Sequence, residues 1–216
     1  MLDGIFEGEE GRAIKTAMWA VGIGLAIRLI WHHSTHRSTI PLAQRINRSD
    51  SVNASYRVPL QRGWPGTKQT LEVMAQIVRR DHGDPVIRAL AERIVERCGG
   101  HDFQCQIRAL HQFVRDQITF RRDPVDIERV QDSRRVLQSR VGDCDDKSVL
   151  LCSLLGSLGH RTRFGLCSNK PGDFSHVFVE CLGPGGWITL DPTPENYRAG
   201  QRAHARYYGN FAIFGK

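Results

Sequence analysis

The 216-residue sequence lacks internal repeats and low-complexity tracts. Hydrophobic residues make up 40% of the chain and charged residues 25%, proportions that are typical of a folded globular protein and not of a disordered one. The length fits one domain of ordinary size with an extension, or two small domains.

The sequence also lacks a basic arm and a basic stripe interleaved with aromatic residues. The net charge is +7, but the basic residues are scattered, and tight clusters are confined to Arg79-Arg80, Arg121-Arg122 and Arg134-Arg135. This pattern is typical of solvated helix faces. We therefore expect no nucleic-acid partner.

No two of the six cysteines form a Cys-x-x-Cys pair, and the start "MLDGIFEGEEGR" is acidic where a secretory leader would be basic. We therefore expect cytoplasmic synthesis and cysteines that are mostly reduced. Cys98, His101, Cys105 and His111 have side chains that can bind a metal ion, but their spacing matches no common zinc module. We expect neither a metal nor a cofactor.

The most apolar segment runs from Thr16 to Trp31 and is shorter than the roughly twenty residues of a typical membrane-spanning helix. Three interpretations stay open: a membrane anchor, a helix that packs against other subunits of a large assembly, and an ordinary amphipathic or core helix. For an anchor, the excess of arginine after the segment would keep the C-terminal part in the cytoplasm.

Proline and glycine interrupt the polar residues that follow, so the sequence predicts three regions. Residues 1–35 form an apolar N-terminal helix for anchoring or assembly, residues 36–66 a linker or extended arm, and residues 67–216 the main domain. Contacts with a second copy of the chain or with virion proteins would involve residues 1–66.

Residues 67–158 show apolar spacing at i, i+3, i+4 and i+7, with Gly and Pro stops, which predicts successive helices. A short, looser helical stretch is expected over 126–140. Three β-branched and aromatic segments follow, at Thr162–Ser168, Ser175–Leu182 and Gly186–Pro192, and "NFAIF" near the end is a candidate fourth. The order predicts an α+β domain in which helices pack on an antiparallel sheet.

The stretch "RVGDCDDKSVLLCSLLGSLGH" places Cys144 at or just before the start of a helix. Unpaired N–H groups at a helix start carry partial positive charge and lower the pKa of a thiol. Asp145 and Asp146 oppose this effect because their negative charge disfavours a thiolate. The thiol therefore needs an imidazolium partner to act as a nucleophile.

The predicted strand "FSHVFVE" offers His176 as that partner, and the next strand ends with Asp191. If the two strands pair across the Gly-Pro-Gly-Gly turn at 183–186, His176 and Asp191 become neighbours on one face of the sheet. A slip of one residue would separate them. The spacing therefore predicts that a carboxylate orients the imidazole.

Three segments, "GDCDDKSVLLCSLLGSLGHRTRF", "SHVFVEC" and "WITLDPT", occur in an order that resembles the transglutaminase-like branch of the papain-type cysteine enzymes, in its compact bacterial or phage form. The resemblance covers Gln104 to Thr193. It implies a catalytic triad of Cys144, His176 and Asp191, and acyl transfer from a peptide-type amide through a thioester. The backbone N–H of Cys144 is the expected oxyanion donor.

Two hypotheses of different kinds follow. The protein is a cysteine hydrolase or acyltransferase that acts on a peptide or protein substrate, with water or an amine as acceptor. Alternatively, it is a non-catalytic structural or adaptor protein of a phage particle or another large assembly. Localisation to a virion, or to a membrane with the domain on the cytoplasmic side, is compatible with both hypotheses.

Overall fold

The computed structural model of the protein describes residues 53–58, 63–124 and 127–214. The predicted N-terminal helix at 1–35 and most of the predicted arm lie outside the described residues. Within the described ranges, no helix combines the length and the apolar character that crossing a membrane requires.

The described chain forms helices first and most of its strands later, which confirms the α+β fold. The helices are α1 (Trp64–Asp81), α2 (Pro85–Ile94), α3 (Phe103–Gln117), α4 (Ser133–Ser139) and α5 (Cys144–Ser157). The strands are β1 (Ser55–Val58), β2 (Thr119–Phe120), β3 (Glu128–Gln131), β4 (Val141–Gly142), β5 (Thr162–Ser168), β6 (His176–Gly183), β7 (Gly186–Leu190) and β8 (Tyr207–Ala212).

The main sheet has the strand order β7-β6-β5-β8, and every neighbouring pair in it is antiparallel. The predicted pairing across the 183–186 turn is present, with Gly183 opposite Gly186 and Val179 opposite Leu190. The segment around "NFAIF" belongs to β8, which joins the sheet beside β5. The order of these strands places β6, with His176 at its start, inside the sheet.

Helix α5 lies at the centre of the fold, packed against β6 on one side and against the other helices. Most of its residues are buried, including polar ones such as Lys147, Ser148 and Ser153. A helix that is buried on all sides needs no polar face. The apolar spacing predicts one buried face with Val149, Leu150, Leu154 and Leu158, whereas the structure buries the helix on all sides and leaves Leu158, just after its end, only half-buried.

Aspartate side chains begin four of the five described helices. Asp84, Asp102 and Asp132 accept hydrogen bonds from backbone N–H groups in the first turns of α2, α3 and α4. Asp143 does the same for α5, where Asp146 completes a reciprocal capping box. Such caps satisfy orphan N–H donors and stabilise a helix by about 1 kcal/mol each.

One local assignment from the sequence was wrong. Within the looser helical stretch predicted at 126–140, residues Glu128–Gln131 form the strand β3, which pairs antiparallel with β1, so a segment of the predicted arm is also a strand of the fold. Apolar spacing does not reveal this pairing because the two strands are far apart in sequence. Strand β4, which leads into α5, pairs in parallel with β2.

The expectation of reduced cysteines is corrected for one pair. Cys98 and Cys105 form a disulfide that links the turn after α2 to the first turn of α3. Both thiols are therefore unavailable as zinc ligands. Cys144, Cys152 and Cys167 are free, as is Cys181.

Candidate active site

Cys144 is the first residue of α5, as the sequence predicted, and its position is fixed by the turn before it. A Cβ atom on Gly142 would lie 2.6 Å from Cβ of Asp146, so only glycine permits this close approach. Asp146 in turn accepts hydrogen bonds from the backbone N–H of Gln131 at 2.7 Å and from its Nε2 at 2.5 Å. The helix start is thereby joined to β3.

His176 and Asp191 are in direct contact, with 2.8 Å between Nε2 and Oδ2. His176 is the first residue of β6 and not, as expected, in the middle of the strand. Extending the register of β6 and β7 by one pair places Asp191 opposite Phe178, so His176 meets Asp191 diagonally on the same face. The contact assigns the hydrogen to Nε2 and leaves Nδ1 as the nitrogen that can accept a proton.

The Asp191 carboxylate is held firmly by its surroundings. The residue is only 1% exposed. Its Oδ2 faces His176, and its Oδ1 accepts a hydrogen bond of 3.0 Å from the backbone N–H of Thr193. A buried carboxylate with partners at both oxygens can fix the tautomer and the orientation of an imidazole.

Cys144 and His176 line the same cavity, which has a volume of about 270 Å³. One part of the lining is apolar and includes Leu71, Met74 and Phe174. Another part is acidic and consists of Glu128, Asp143 and Asp145. The site therefore offers a thiol and an imidazole in a cleft that can admit a substrate.

The Cys144 thiol is neutral in this arrangement, because its Sγ donates a hydrogen bond of 3.4 Å to Oδ1 of Asp145. The residue keeps part of its surface exposed, yet burial of the sulfur is the largest influence on it and raises its pKa well above the ordinary value. The negative charges of Asp145 and Asp143 raise the pKa further, and a hydrogen bond from the backbone N–H of Val177 opposes them. The opposition expected from Asp145 is therefore present, and Asp143, rather than the expected Asp146, is the second acid that contributes to it.

The acids around the thiol also influence one another. Burial, followed by the charge of Asp146, raises the pKa of Asp143 to about 7. Burial raises the pKa of Asp146 to about 6, against the hydrogen bonds from Gln131. Burial and the charges of Asp143 and Glu128 raise the pKa of Asp145 well above the ordinary value. This acidic wall therefore holds protons at a pH where exposed carboxyl groups have lost theirs.

Two buried residues that the sequence did not assign to the site lie behind it. Nε2 of His111, on α3, is 2.9 Å from the backbone oxygen of Asp191. Nζ of Lys147, on α5, donates to the backbone oxygen of Ile118 at 2.8 Å. The helical pattern indicated that both positions belong to helices, but it carries no signal for these distant partners. Among the described residues, no group of three or more His, Cys, Asp or Glu side chains is arranged to hold a metal ion.

Residues 88–192 match the model of the Transglutaminase-like superfamily, and this range includes Cys144, His176 and Asp191. This match confirms the resemblance carried by the three sequence motifs. No curated protein matches the chain.

Several solved structures are similar to the fold. A candidate protease from Parabacteroides distasonis ATCC 8503 has 14% identity and a TM-score of 0.47, with 59% of this chain and 26% of that chain covered. A candidate cysteine protease from Cytophaga hutchinsonii has 15% identity and a TM-score of 0.41, with coverages of 60% and 52%. EGTA-treated LapG from Legionella pneumophila also has 15% identity and a TM-score of 0.41, with coverages of 58% and 72%. The chain thus spans about a quarter of the first of these proteins and about half of the second.

Proposed function

We propose that the protein is a cysteine hydrolase or acyltransferase that acts on peptide-type amide bonds through a thioester. The observation that carries the proposal is that Cys144 and His176 line one cavity, while Oδ2 of Asp191 lies 2.8 Å from Nε2 of His176. This contact leaves Nδ1 of His176 free to take the thiol proton. The transglutaminase-like core, which supports a cysteine-dependent hydrolase or acyltransferase, is the second support.

In the first half of the proposed reaction, the thiol proton passes to Nδ1 of His176 and the sulfur attacks the amide carbonyl carbon. The carbonyl oxygen becomes an oxyanion, and the backbone N–H of Cys144 in the first turn of α5 stabilises it. His176 then returns the proton to the leaving amine, and a thioester remains on Cys144. Because the thiol donates to Asp145 before substrate enters, its hydrogen bond has to be redirected to Nδ1.

In the second half, His176 accepts a proton from water or from an acceptor amine, which attacks the thioester carbon. Collapse of the second oxyanion breaks the carbon–sulfur bond, and the thiolate takes the proton back from His176. Asp191 keeps Nε2 protonated throughout, so Nδ1 acts as both base and acid. The same geometry serves hydrolysis and transamidation, and the acceptor that enters the cavity decides between them.

The charge of the cavity bears on the class of substrate. Glu128, Asp143 and Asp145 contribute to the lining, and no lysine or arginine is among the described residues that line it. Opposite charges a few ångströms apart attract by several kcal/mol where water is partly excluded. A cationic side chain in the cavity favours the ionised form of these carboxyl groups, whose pKa values burial raises. We therefore expect a peptide with a basic or neutral side chain near the reacting carbonyl, and poor binding of an acidic one.

The test is covalent labelling of the full chain by a thiol-directed acyl probe, followed by measurement of the intact mass. Wild-type protein should gain one adduct, whereas Cys144→Ala and His176→Ala should gain none. Cys152→Ala is the matched control because it removes a free cysteine that is buried farther along the same helix. Equal labelling of Cys144→Ala and wild type would refute the proposal.

The proposed association of residues 1–66 with a membrane, a second copy or virion proteins is a separate matter, because most of these residues lie outside the described ones. Fractionation and native mass measurement of the full chain and of a chain without residues 1–35 test it. A full chain that stays a soluble monomer would contradict both the anchor and the assembly interpretations.

A further inference from the structure

The buried histidine of α3 contacts the backbone of the candidate triad. His111 is 1% exposed, and its Nε2 lies 2.9 Å from the backbone oxygen of Asp191. Asp191 follows Leu190, the last residue of β7. His111 supplies the backbone carbonyl of Asp191 with a donor, as a buried carbonyl requires.

The chemistry of this contact fixes the hydrogen on His111. A carbonyl oxygen only accepts, so Nε2 carries the hydrogen and donates it. Burial, followed in smaller measure by the positive charge of Arg115, lowers the pKa of His111, while Asp191 and Asp116 act in the opposite direction. The ring is therefore a neutral donor with one defined tautomer.

Helix α3 holds the segment after β7 at a second point. Arg115 lies one turn beyond His111 on α3, and its Nη1 donates to the backbone oxygen of Tyr197 at 2.6 Å. The two donors are four residues apart, so they project from the same side of the helix. The chain from Asp191 to Tyr197 is thereby fastened to α3 at both ends.

The same helix is fastened to the helix that carries the nucleophile. Lys147, three residues after Cys144, donates from Nζ to the backbone oxygens of Ile118 at 2.8 Å and Arg115 at 3.3 Å. These carbonyls lie at the C-terminal end of α3, where helical acceptors lack partners within the helix. Helix α3 therefore connects the helix of Cys144 with the strand end of Asp191 through buried hydrogen bonds.

We propose that His111 is a positioning residue of the catalytic triad, which acts through the backbone of Asp191. The proposal rests on the function proposed above. The direction in which the Asp191 carboxylate points depends on the orientation of its own backbone, which the hydrogen bond from His111 holds. Loss of the donor releases this backbone, and the carboxylate then no longer keeps Nε2 of His176 protonated and directed away from the thiol.

A purely structural role would have a different outcome. If His111 only satisfied a buried carbonyl, its removal would lower stability and leave the state of His176 unchanged. Two substitutions of His111 distinguish the positioning role from the purely structural role. In His111→Gln the amide nitrogen reaches the position of Nε2 and keeps the donor, whereas in His111→Asn the amide is too short to reach it.

The experiment compares the full-length wild type with His111→Gln, His111→Asn and His111→Leu. We expect the rate of Cys144 alkylation at neutral pH and kcat/KM to fall by about ten- to a hundredfold in the Asn and Leu variants, because small displacements of catalytic groups have effects of this size. His111→Gln should stay within about threefold of wild type, and the pH profile of alkylation should shift only where the donor is lost.

A second measurement needs no turnover. The side-chain nitrogen signals of His176 in NMR spectra should report a hydrogen on Nε2 in the wild type and in His111→Gln, and a mixture of tautomers in His111→Asn. The matched control is His160→Gln, because His160 also contacts α3, with 3.0 Å between its Nε2 and Oε1 of Gln106.

The outcomes are separable from those of the proposed function. An inactive wild type would overturn the hydrolase proposal, while the tautomer of His176 in the Gln and Asn variants would still decide the role of His111. Equal alkylation profiles and equal His176 signals in these two variants would overturn the positioning role, even if both melt at a lower temperature. If His111→Leu does not fold, the Gln and Asn variants provide the answer.

Discussion

The two sides of the cavity are built on opposite electrostatic principles. On the sheet side, one buried carboxylate, Asp191, has close partners at both of its oxygens and at its backbone carbonyl. On the helix side, the Cys144 thiol faces Asp143 and Asp145, whose charges disfavour its ionisation. The base is therefore held ready for the reaction, whereas the nucleophile has to be generated by that base.

The largest effect should come from breaking the sheet side. We expect His176→Gln to lower the alkylation rate of Cys144 and the turnover of any amide substrate by about 10²–10⁴-fold, because the proton acceptor is lost. Rates of alkylation and hydrolysis measured on the same preparations provide the check. His204→Gln is the control, since His204 is exposed. An unchanged rate in His176→Gln would mean that the thiol does not depend on the imidazole.

Changing the helix side should have the opposite sign. Replacing Asp145 by Asn removes the charge that, after burial, is the largest influence raising the thiol pKa, and it replaces the carboxylate that accepts the thiol hydrogen bond by a neutral amide oxygen. We expect alkylation of Cys144 at neutral pH to rise by about tenfold, which corresponds to one pKa unit. The pH dependence of alkylation measures this shift. Glu92→Gln, an exposed change on α2, should leave it unaltered. A slower reaction in Asp145→Asn would show that Asp145 assists the thiol.

The acidic wall should also select among substrates. A peptide with lysine beside the reacting carbonyl should have a kcat/KM about tenfold higher than the same peptide with glutamate, because charge interactions of ~1–4 kcal/mol near a protein surface permit such a preference. Competition between the two peptides measures it directly. Glu128→Gln removes one charge from the lining and should reduce the preference, and a preference for glutamate would contradict the proposed role of the wall.

The smallest effect should appear in stability. The folded-state pKa of Asp143 is raised to about 7, so stability is lost as pH rises from the unfolded value near 4 through about 7. Asn remains an effective helix cap and carries no charge. We therefore expect Asp143→Asn to equal wild type near pH 4 and to exceed it by on the order of 1–2 kcal/mol near pH 8. Urea unfolding at the two pH values tests this. If Asp143→Asn and wild type were equally stable at both pH values, the ionised Asp143 carboxylate would not destabilise the folded protein.

Much of the sheet side could be predicted from the sequence because a local feature determines it. The turn at 183–186 sets the register of β6 and β7, and this register brings Asp191 next to His176. The start of α5 at Cys144 was equally local, since Gly142 and the acidic residues after it are typical of a helix N-terminus. In both cases, residues close together in the sequence determine the geometry.

The features that could not be predicted depend on distant contacts. Strand β3 forms because β1, far earlier in the chain, pairs with it. The Cys98–Cys105 disulfide depends on the turn between two helices and not on a spacing rule. His111 occupies an ordinary helical position, and nothing in its surroundings in the sequence indicates that it meets the carbonyl of Asp191, which is 80 residues away. The residues behind the site are thus determined by the tertiary fold.

Helix α5 supplies both the sulfur of Cys144 and the centre of the hydrophobic core. The helix that carries the nucleophile is therefore also the helix around which the core packs. A cavity created by truncating Leu150 or Leu154 would shift the N-terminal end of this helix, and with it Cys144, before the protein unfolds. The alkylation rate of Cys144 would then report changes in core packing that are too small to alter the melting temperature.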